Sequence, residues 1–470
     1  MNNNNTVDYY PVTERTYKIA GDLELKVKVE ANPFQIPLDS LFGMAARINK
    51  KRSFLFVSKV LGKHIPVRPY TSLLSGVSLG LLLQQAMQGS MPDHLLPLAI
   101  QGLIDPARAD NAYQEIRSHR LELPQPAVFI GFAETATAIG HAAFHTFGAN
   151  NTYIHTTREI IDDSQSILNF SEEHSHAVAH YCYAEDPHLF AQAEVVVLVD
   201  DEMTTGKTSL NIIRDMQAKF PKKTYYVLAL LDWRTAADLE RFRELEQELG
   251  IAVHVLTLVK GEVTVTGSSE SLTPAQPELP LSQGSTSIDI MYVDHLFAHS
   301  PWGNQRPYLQ YSGRFGLTPE HEAQLGAALS LTAKYLRETR IGTKTLCVGT
   351  GEFMYIPMRI AAEMGEGVSY QSTTRSPIHT IDRDGYAVKS GYPYASSEDP
   401  EVTHFMYNVP VGEYEDLYLF LEREADQAAL QPLLRILETR GLQRLHLVFF
   451  SPQTVEWKEG AVWKIGGADR

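Results

Sequence analysis

The chain has 470 residues, 44% of them hydrophobic, and a formal net charge of −15. The length points to two or three domains with ordinary buried cores. The acidic balance argues against a nucleic-acid-binding face, which needs clustered Lys and Arg, but permits one anion in a local pocket. The two cysteines, Cys182 and Cys347, are unpatterned. This excludes a disulfide framework or a Cys-based zinc site and fits a reducing cytoplasm. The stretch "MNNNNTVDYY" has no basic region followed by an apolar run, so no secretory signal is expected. No apolar run approaches the ~18 residues of a membrane span. The expectation is a cytoplasmic protein with neither nucleic acid nor membrane as partner.

In chain order, "LELKVKV" (23–29) alternates apolar and polar residues and predicts a strand. "SFLFVSKVLGKHIPV" (53–67) is strand-like, punctuated by Gly62 and Pro66. "SLLSGVSLGLLLQQAM" (72–87) predicts a buried helix. "AVFIGFAETATAIGHAAFHTF" (127–147) predicts a strand, a glycine turn and a helix, and "NTYIHTT" (151–157) another strand. Residues 159–185, rich in Ser, Asp, Glu and His, predict a mobile loop. "EVVVLV" (194–199) predicts a buried strand, "TSLNIIRDMQAKF" (208–220) a helix and "KTYYVLALLDW" (223–233) a strand. Strands alternating with helices give an α/β fold with a mostly parallel sheet. Residues 262–287, rich in Ser, Pro, Gly and Thr, predict a linker. The expected organisation is therefore 1–261, the linker 262–287, and a second α/β unit at 288–470.

The chemistry concentrates in "VVVLVDDEMTTGKTSL" (195–210). A continuous apolar run suits a parallel strand buried on both faces. Ligands of open α/β sheets sit at the carboxyl ends of such strands, where Asp200 and Asp201 fall. Thr204, Thr205, Gly206, Lys207 and Thr208 lead into a helix, whose N-terminus offers N–H groups and a favourable dipole to a phosphate. The acids suit sugar hydroxyls or a hydrated Mg²⁺. A triphosphate-binding P-loop would need glycine where Asp201 stands. The residues describe a ligand with a terminal phosphate, a ribose diol and a metal; the bland alternative is a strand end with solvated acids.

This stretch resembles the phosphoribosyl-pyrophosphate (PRPP) motif of type I phosphoribosyltransferases. Residues 1–260 also resemble the subset of these enzymes associated with bacterial tellurium-resistance stress genes, through "RSFLFVSKVLGKHIPV", "GFAETATAIGHAAFHTF" and "YIHTTREI". The resemblance implies a type I phosphoribosyltransferase fold that uses PRPP and Mg²⁺ to form or cleave an N-glycosidic bond. Asp200 and Asp201 would hold the ribose hydroxyls and the metal. Thr204 to Thr208 would cradle the 5′-phosphate. The turn "GFAET", with Ala133, Glu134 and Thr135, falls where the family binds pyrophosphate. Arg158 falls near the start of the family's flexible catalytic loop, with Asp200 and Asp201 the other catalytic candidates. Purine-salvage members carry an acid where Thr204 stands, so an orotate-like arrangement is nearer. The resemblance also allows a homodimer.

Lys59 and Lys63, with His64, could reach an anionic acceptor from an N-terminal hood, or form a solvated basic stretch. Asp232 and Trp233, beside Arg234, could hold the acceptor, or Trp233 could simply pack. His174 and His176 have metal-ligand spacing, although loop histidines are usually solvated.

The second unit repeats the order of features. "GFAE" (131–134) is echoed by "GTGE" (349–352), "YIHTTREI" by "YQSTTRSPI" (370–378), "HYCY" (180–183) by "HFMY" (404–407), "VVVLVDDE" by "LYLFLERE" (417–424), and "NKKRSFLFVS" by "NQRPYLQYS" (304–312). Convergent α/β punctuation is the competing explanation. In this echo the cradle becomes "DQAAL" (426–430), without glycine. Glu352, Thr374, Arg375 and Ser376 remain as candidates for a ligand of this unit. The unit resembles the domain that follows these transferases, known for a Thr-Arg-Ser-Pro signature, here Thr374 to Pro377. A PRPP-sensing regulator without turnover, and a scaffold for a stress pathway, stand as alternatives to the enzyme.

Overall fold

The computed structural model of the chain describes residues 13–48, 52–161, 164–171, 179–269, 272, 286–303, 306–457 and 461–464. β1 (Glu14–Ala20) and β2 (Leu23–Ala31) pair antiparallel. The alternation in "LELKVKV" buries Leu23, Leu25, Val27 and Val29 on one face of the sheet. A short α1 (Leu38–Leu41) leads into the antiparallel pair β3 (Phe42–Ala46) and β4 (Phe54–Ser58), which forms the hood. Strand structure stops at Ser58 instead of reaching residue 67, because the chain turns at Gly62, where φ is +68°. α2 (Pro69–Ala86) starts with proline at its first helical position and is buried on nearly every side. α3 (Leu95–Ile104) and α4 (Ala109–Ser118) pack on it.

The parallel core follows: β5 (Ala127–Gly131), α5 (Ala136–Phe144), β6 (Asn151–His155), the pair β7 (Leu168–Ser171) and β8 (Ala179–Cys182), β9 (Val195–Val199), β10 (Glu202–Met203), α6 (Lys207–Lys219), β11 (Thr224–Asp232), α7 (Ala236–Leu249) and β12 (Ala252–Thr266). The β7–β8 pair corrects the expectation of a loop over 159–185 by placing two short strands within it. Leu168 and Cys182 are buried, and Phe170 stacks on His180 at 5.2 Å, so the polar segment carries one apolar face. β12 corrects the start of the linker: residues 262–266 pair with β2. Residues 270–271 and 273–285 of that linker lie outside the described residues.

Among the described residues the first sheet runs β1-β2-β12-β11-β9-β5-β6, with β10 added to β11. All five residues of β9 are buried. At roughly 1.5–3 kcal/mol for each fully buried aliphatic side chain, this strand anchors the core.

The second unit contains β13 (Ser287–Tyr292), α8 (Pro319–Thr339), β14 (Thr345–Gly349), α9 (Tyr355–Glu363), β15 (Val368–Ser372), the antiparallel pair β16 (Gly391–Ala395) and β17 (Thr403–Tyr407), β18 (Asp416–Leu421), α10 (Gln427–Glu438), β19 (Arg444–Phe449) and β20 (Ala461–Lys464). Its sheet runs β15-β14-β18-β19-β13-β20. Four successive positions match the first sheet, β6-β5-β9-β11, all parallel and in equivalent register. Ala127 pairs with Asn151 and Val195; Thr345 pairs with Val368 and Asp416.

That register refines the sequence echo. Val195 stands opposite Ala127 and Asp416 opposite Thr345. Asp201, six residues on, therefore corresponds to Glu422, one position from the alignment of "VVVLVDDE" with "LYLFLERE". Gly206 caps α6 and Asp426 caps α10, so the glycine of the cradle is replaced by an acid.

Each unit also reaches across to the other. Val67 bridges Tyr370 on edge strand β15, and Leu317 bridges Tyr153 on edge strand β6. Both bridges use two backbone hydrogen bonds of 2.7–3.0 Å. They cover edges that would otherwise be open to pairing.

Candidate functional site

In the first sheet the chain leaves β5 for β6 on one side and returns to β9 on the other. A crevice opens where the direction reverses, at the carboxyl ends of β5 and β9. The turn 132–135 forms one wall. Phe132 N–H donates to the Val199 carbonyl at 3.1 Å, and Ala133 N–H to Thr156 Oγ1 at 2.8 Å. The Ala133–Glu134 peptide is cis. Gly131 leaves room for this turn: a Cβ there would lie 2.5 Å from the Ala136 carbonyl oxygen.

The acid pair forms the other wall. Asp200 N–H donates to the Leu228 carbonyl at 2.9 Å, and Asp201 N–H to Asp200 Oδ1 at 2.9 Å. Gly206 then turns the chain at φ +69°, and α6 begins at Lys207. Lys207 N–H donates to Thr205 Oγ1 at 3.4 Å. Thr204, Thr205, Gly206, Lys207 and Thr208 are all half-buried. Glu202 ion-pairs with Arg52 and so ties the hood to this edge. Burial pushes the Glu202 carboxyl up, against the opposing pull of Arg52. Between hood and edge lies a small pocket lined by Phe42, Phe56, Ser58, Leu61, Asp201 and Glu202 among others.

Three acceptor candidates sit elsewhere. Trp233 is 2% exposed, stacked on Phe56 at 5.1 Å and edge-on to Phe42 at 6.2 Å, so it is packing for the hood. Asp232 is 1% exposed and takes two hydrogen bonds, 2.9 and 2.8 Å, from the Arg234 guanidinium. Its charge is spent within its own turn. Lys59 is exposed and donates to the Asp39 carbonyl at 2.8 Å. Lys63 does point at the crevice turn, with Nζ 3.4 Å from Glu134 Oε2 and bonded to Thr135 Oγ1. His64 is buried, and burial first, then Lys63, pushes its imidazole pKa well down.

The second unit's candidates meet the first unit. Glu134 accepts from Thr374 Oγ1 at 3.1 Å. Burial pushes the Glu134 carboxyl up, but Lys63 and Arg158 outweigh it and hold it at about 2. In the reciprocal contact, Glu352 accepts from Thr157 Oγ1 at 2.6 Å and from the Arg158 backbone N–H at 2.8 Å. Arg375 Nε donates to His404 Nε2 at 3.3 Å, and Ser376 Oγ accepts from Arg47 at 3.4 Å. Glu134, Arg158, Glu352, Arg375 and Glu422 line one cleft. The cleft stands at the carboxyl ends of β14 and β18, the place in the second sheet that the β5/β9 crevice occupies in the first.

The phosphoribosyl transferase family matches residues 41–262, and the TRSP domain described as C-terminal to that transferase matches residues 311–437. The chain carries a phosphoribosyl transferase domain followed by a TRSP domain. Solved structures similar to it include the adenine phosphoribosyl transferase of Trypanosoma brucei in complex with AMP, pyrophosphate and ribose-5-phosphate, at 12% identity, 49% of this chain, 82% of that chain and a TM-score of 0.27. The Giardia lamblia enzyme complexed with 9-deazaadenine is similar at 19% identity, 34% and 84% coverage and a TM-score of 0.23. The Rhodothermus marinus adenine phosphoribosyltransferase is similar at 15% identity, 39% and 98% coverage and a TM-score of 0.21. No curated protein matches the chain in sequence.

Arg314, which ties the TRSP domain to Thr157 of the transferase domain, is not among the sequence candidates. It is 2% exposed. It donates to Thr157 Oγ1 at 2.6 Å, Glu352 Oε2 at 3.0 Å and Glu422 Oε2 at 3.1 Å. Burial opposes its charge, but Glu159, Glu422 and Glu352 hold its pKa well above the usual range. The only available signal was an arginine between two glycines in "SGRFG". His174 and His176 lie outside the described residues. Among the described residues no group of three or more His, Cys, Asp or Glu could hold a metal ion, and no helix is long and apolar enough to cross a membrane.

Proposed function

We propose that the transferase domain moves a 5-phosphoribosyl group from PRPP to a nitrogen of a base-like acceptor, or runs the reverse reaction on a nucleotide-like metabolite. One arrangement carries this reading. The acid pair and the Gly206 turn into α6 stand across the β5/β9 crevice from the turn 132–135. A 5′-phosphate would sit at the α6 N-terminus, where the first-turn N–H groups have no partner within the helix. Asp200 and Asp201 would accept from the ribose 2′- and 3′-hydroxyls. Residues 133–135 and Arg158 would take the pyrophosphate. Lys63, already paired with Glu134, offsets the negative charge of that turn.

Mg²⁺ fits the donor set. It is commonly held by one or two carboxylates plus substrate phosphates, not by an all-protein cage, and Asp200 and Asp201 would hold it. When bound it neutralises charge on the pyrophosphate. In the transfer the bond from the anomeric carbon to pyrophosphate breaks, a bond to the acceptor nitrogen forms, and the acceptor's proton leaves. Positive character builds on the sugar, so the chain's task is to place donors on the leaving group and hold the acceptor in line. The hood pocket beside Asp201 offers an apolar roof for a flat acceptor. A setting in a tellurium-linked bacterial stress pathway rests on sequence resemblance alone.

Pyrophosphate release from PRPP and Mg²⁺, measured with a panel of pyrimidine and purine bases, tests the reading. Release with one acceptor class supports it. Tight PRPP binding without turnover on any acceptor replaces it with a PRPP sensor.

A further inference from the structure

We propose that Glu352 of the TRSP domain is a positioning residue for Arg158 of the transferase domain, an inference that rests on the transferase reading. Its carboxylate takes two polar hydrogens of the turn that follows β6: Thr157 Oγ1–H at 2.6 Å and Arg158 N–H at 2.8 Å. The carboxylate is itself fixed. Glu352 is 9% exposed, and Arg314 bonds it while donating to Thr157 Oγ1 at 2.6 Å. Thr157 Oγ1 also accepts from Glu159 N–H at 3.1 Å. Three residues that open the segment toward β7 are thus locked by an acid 194 positions ahead of Arg158. A turn held by charge-assisted hydrogen bonds at both its hydroxyl and its amide has little freedom.

The reciprocal contact sets the scale. In the TRSP domain, Thr374 and Arg375 occupy the places of Thr157 and Arg158, since Thr156 N–H bonds the Gly131 carbonyl and Thr373 N–H bonds the Gly349 carbonyl. Thr374 finds Glu134 at 3.1 Å, and Lys63 stands at 3.4 Å where Arg314 stands in the other half. The shorter, multiply bonded clamp therefore falls on the domain that has the complete Thr204–Thr208 cradle. The TRSP domain has Asp426 at its own cap position, so its Glu352 serves the neighbouring crevice. Arg158 would then reach the leaving pyrophosphate from a backbone that the other domain holds still. Misplacing a charge-stabilising group by about 1 Å can cost ~10²-fold in rate.

The test uses the full chain as Glu352→Ala, the near-isosteric Glu352→Gln, and Glu134→Ala as the reciprocal control. Amide hydrogen exchange across residues 157–161 reads the clamp, and pyrophosphate release reads its consequence. Glu352→Ala is expected to speed exchange there about tenfold or more, while Glu134→Ala leaves it unchanged. Turnover should fall ~10- to 100-fold in kcat with KM for PRPP within about threefold. Glu352→Gln, which keeps acceptor capacity, should recover part of both, and decides the matter if the alanine variant does not fold. Unchanged exchange at 157–161 in both Glu352 variants overturns the clamp. Faster exchange with unchanged kcat overturns its positioning role. A wild-type chain that neither binds nor turns over PRPP overturns the transferase reading instead, and the exchange measurement still decides whether Glu352 holds this turn.

Discussion

Thr157 of the transferase domain donates its hydroxyl to Glu352 of the TRSP domain at 2.6 Å, and Thr374 of the TRSP domain donates its own to Glu134 of the transferase domain at 3.1 Å. The two contacts are reciprocal, and both hydroxyls belong to buried residues. Their partners differ. Thr157 Oγ1 also takes Arg314, whereas Thr374 Oγ1, besides its bond to Glu134, takes the Ser376 backbone N–H. Replacing Thr157 by Val leaves a buried carboxylate and a buried guanidinium each short of a partner. That should cost about 2–3 kcal/mol of stability, against about 1 kcal/mol for Thr374→Val. Denaturant unfolding of both variants checks the ordering; equal losses would show that the reciprocal contacts carry equal weight.

Asp200 and Asp201 cap a strand whose five residues are all buried, so changing their charge should not disturb the core. Asp201→Asn is expected to leave the melting temperature within a few degrees of wild type. PRPP affinity in Mg²⁺ should fall by about tenfold or more as a charge-assisted bond to the ribose is lost. Calorimetric titration of PRPP into wild type and variant measures it. Unchanged affinity would remove the acid pair from the site.

Gly206 separates a loss of the cradle from a general backbone cost. Its φ is +69°, and a Cβ there would lie 2.6 Å from the Phe242 ring. Gly206→Ala should cost about 2 kcal/mol or more, with PRPP affinity falling tenfold or beyond, because the turn into α6 must move. Gly412, at φ +73° with nothing within 4 Å, is the matched control. Gly412→Ala should cost only about 1 kcal/mol and leave binding intact.

These two positions show how much of the site could be read in the sequence. The β9 run, the acids after it and the glycine before α6 are local signals, each set by neighbours within a few residues. The succession of strands and helices and the correspondence of the two halves were also legible, because apolar runs and turns recur at similar spacing; the order of strands in each sheet was not. Trp233 was ambiguous for a physical reason. An aromatic at a strand end can face a ligand or a neighbouring layer, and only the fold of β3 and β4 over it decides. The Thr157–Glu352–Arg314 cluster was illegible because its members are 195, 157 and 38 residues apart. The β7–β8 pair was hidden because one apolar face on a short strand is lost among polar neighbours.

Trp233 now makes a prediction opposite to that for an acceptor platform. With 2% exposure and rings of Phe42 and Phe56 against it, Trp233→Ala should cost ~3–5 kcal/mol and Trp233→Phe distinctly less. In the phenylalanine variant, acceptor KM should stay near wild type. A selective rise in acceptor KM with unchanged stability would restore the ligand-facing role.

Acid should weaken the union of the two domains in two stages, and the sign follows from the direction of each shift. His141 and His145 of the transferase domain meet Glu322 of the TRSP domain at 2.7 and 3.4 Å. Burial lowers both imidazole pKa values below the ordinary 6.5, that of His145 well below, although Glu322 pulls the other way. The unfolded chain therefore binds protons that the folded chain refuses. The stability from these neutral histidines is present above about pH 6.5 and is lost as pH falls through that value. Glu134 behaves as a depressed carboxylate. Burial raises it, but Lys63 and Arg158 outweigh burial and leave it at about 2. Its contribution is present above pH 4.5 and lost between 4.5 and about 2. Thermal melts at pH 7.5, 5.5, 4 and 3 should thus show one decline already between 7.5 and 5.5 and a second below 4.5. Glu134→Gln should blunt the second decline by removing its carboxylate. A melting temperature that stays flat from pH 7.5 to 5.5 would mean that the two histidines do not resist protonation in the folded chain.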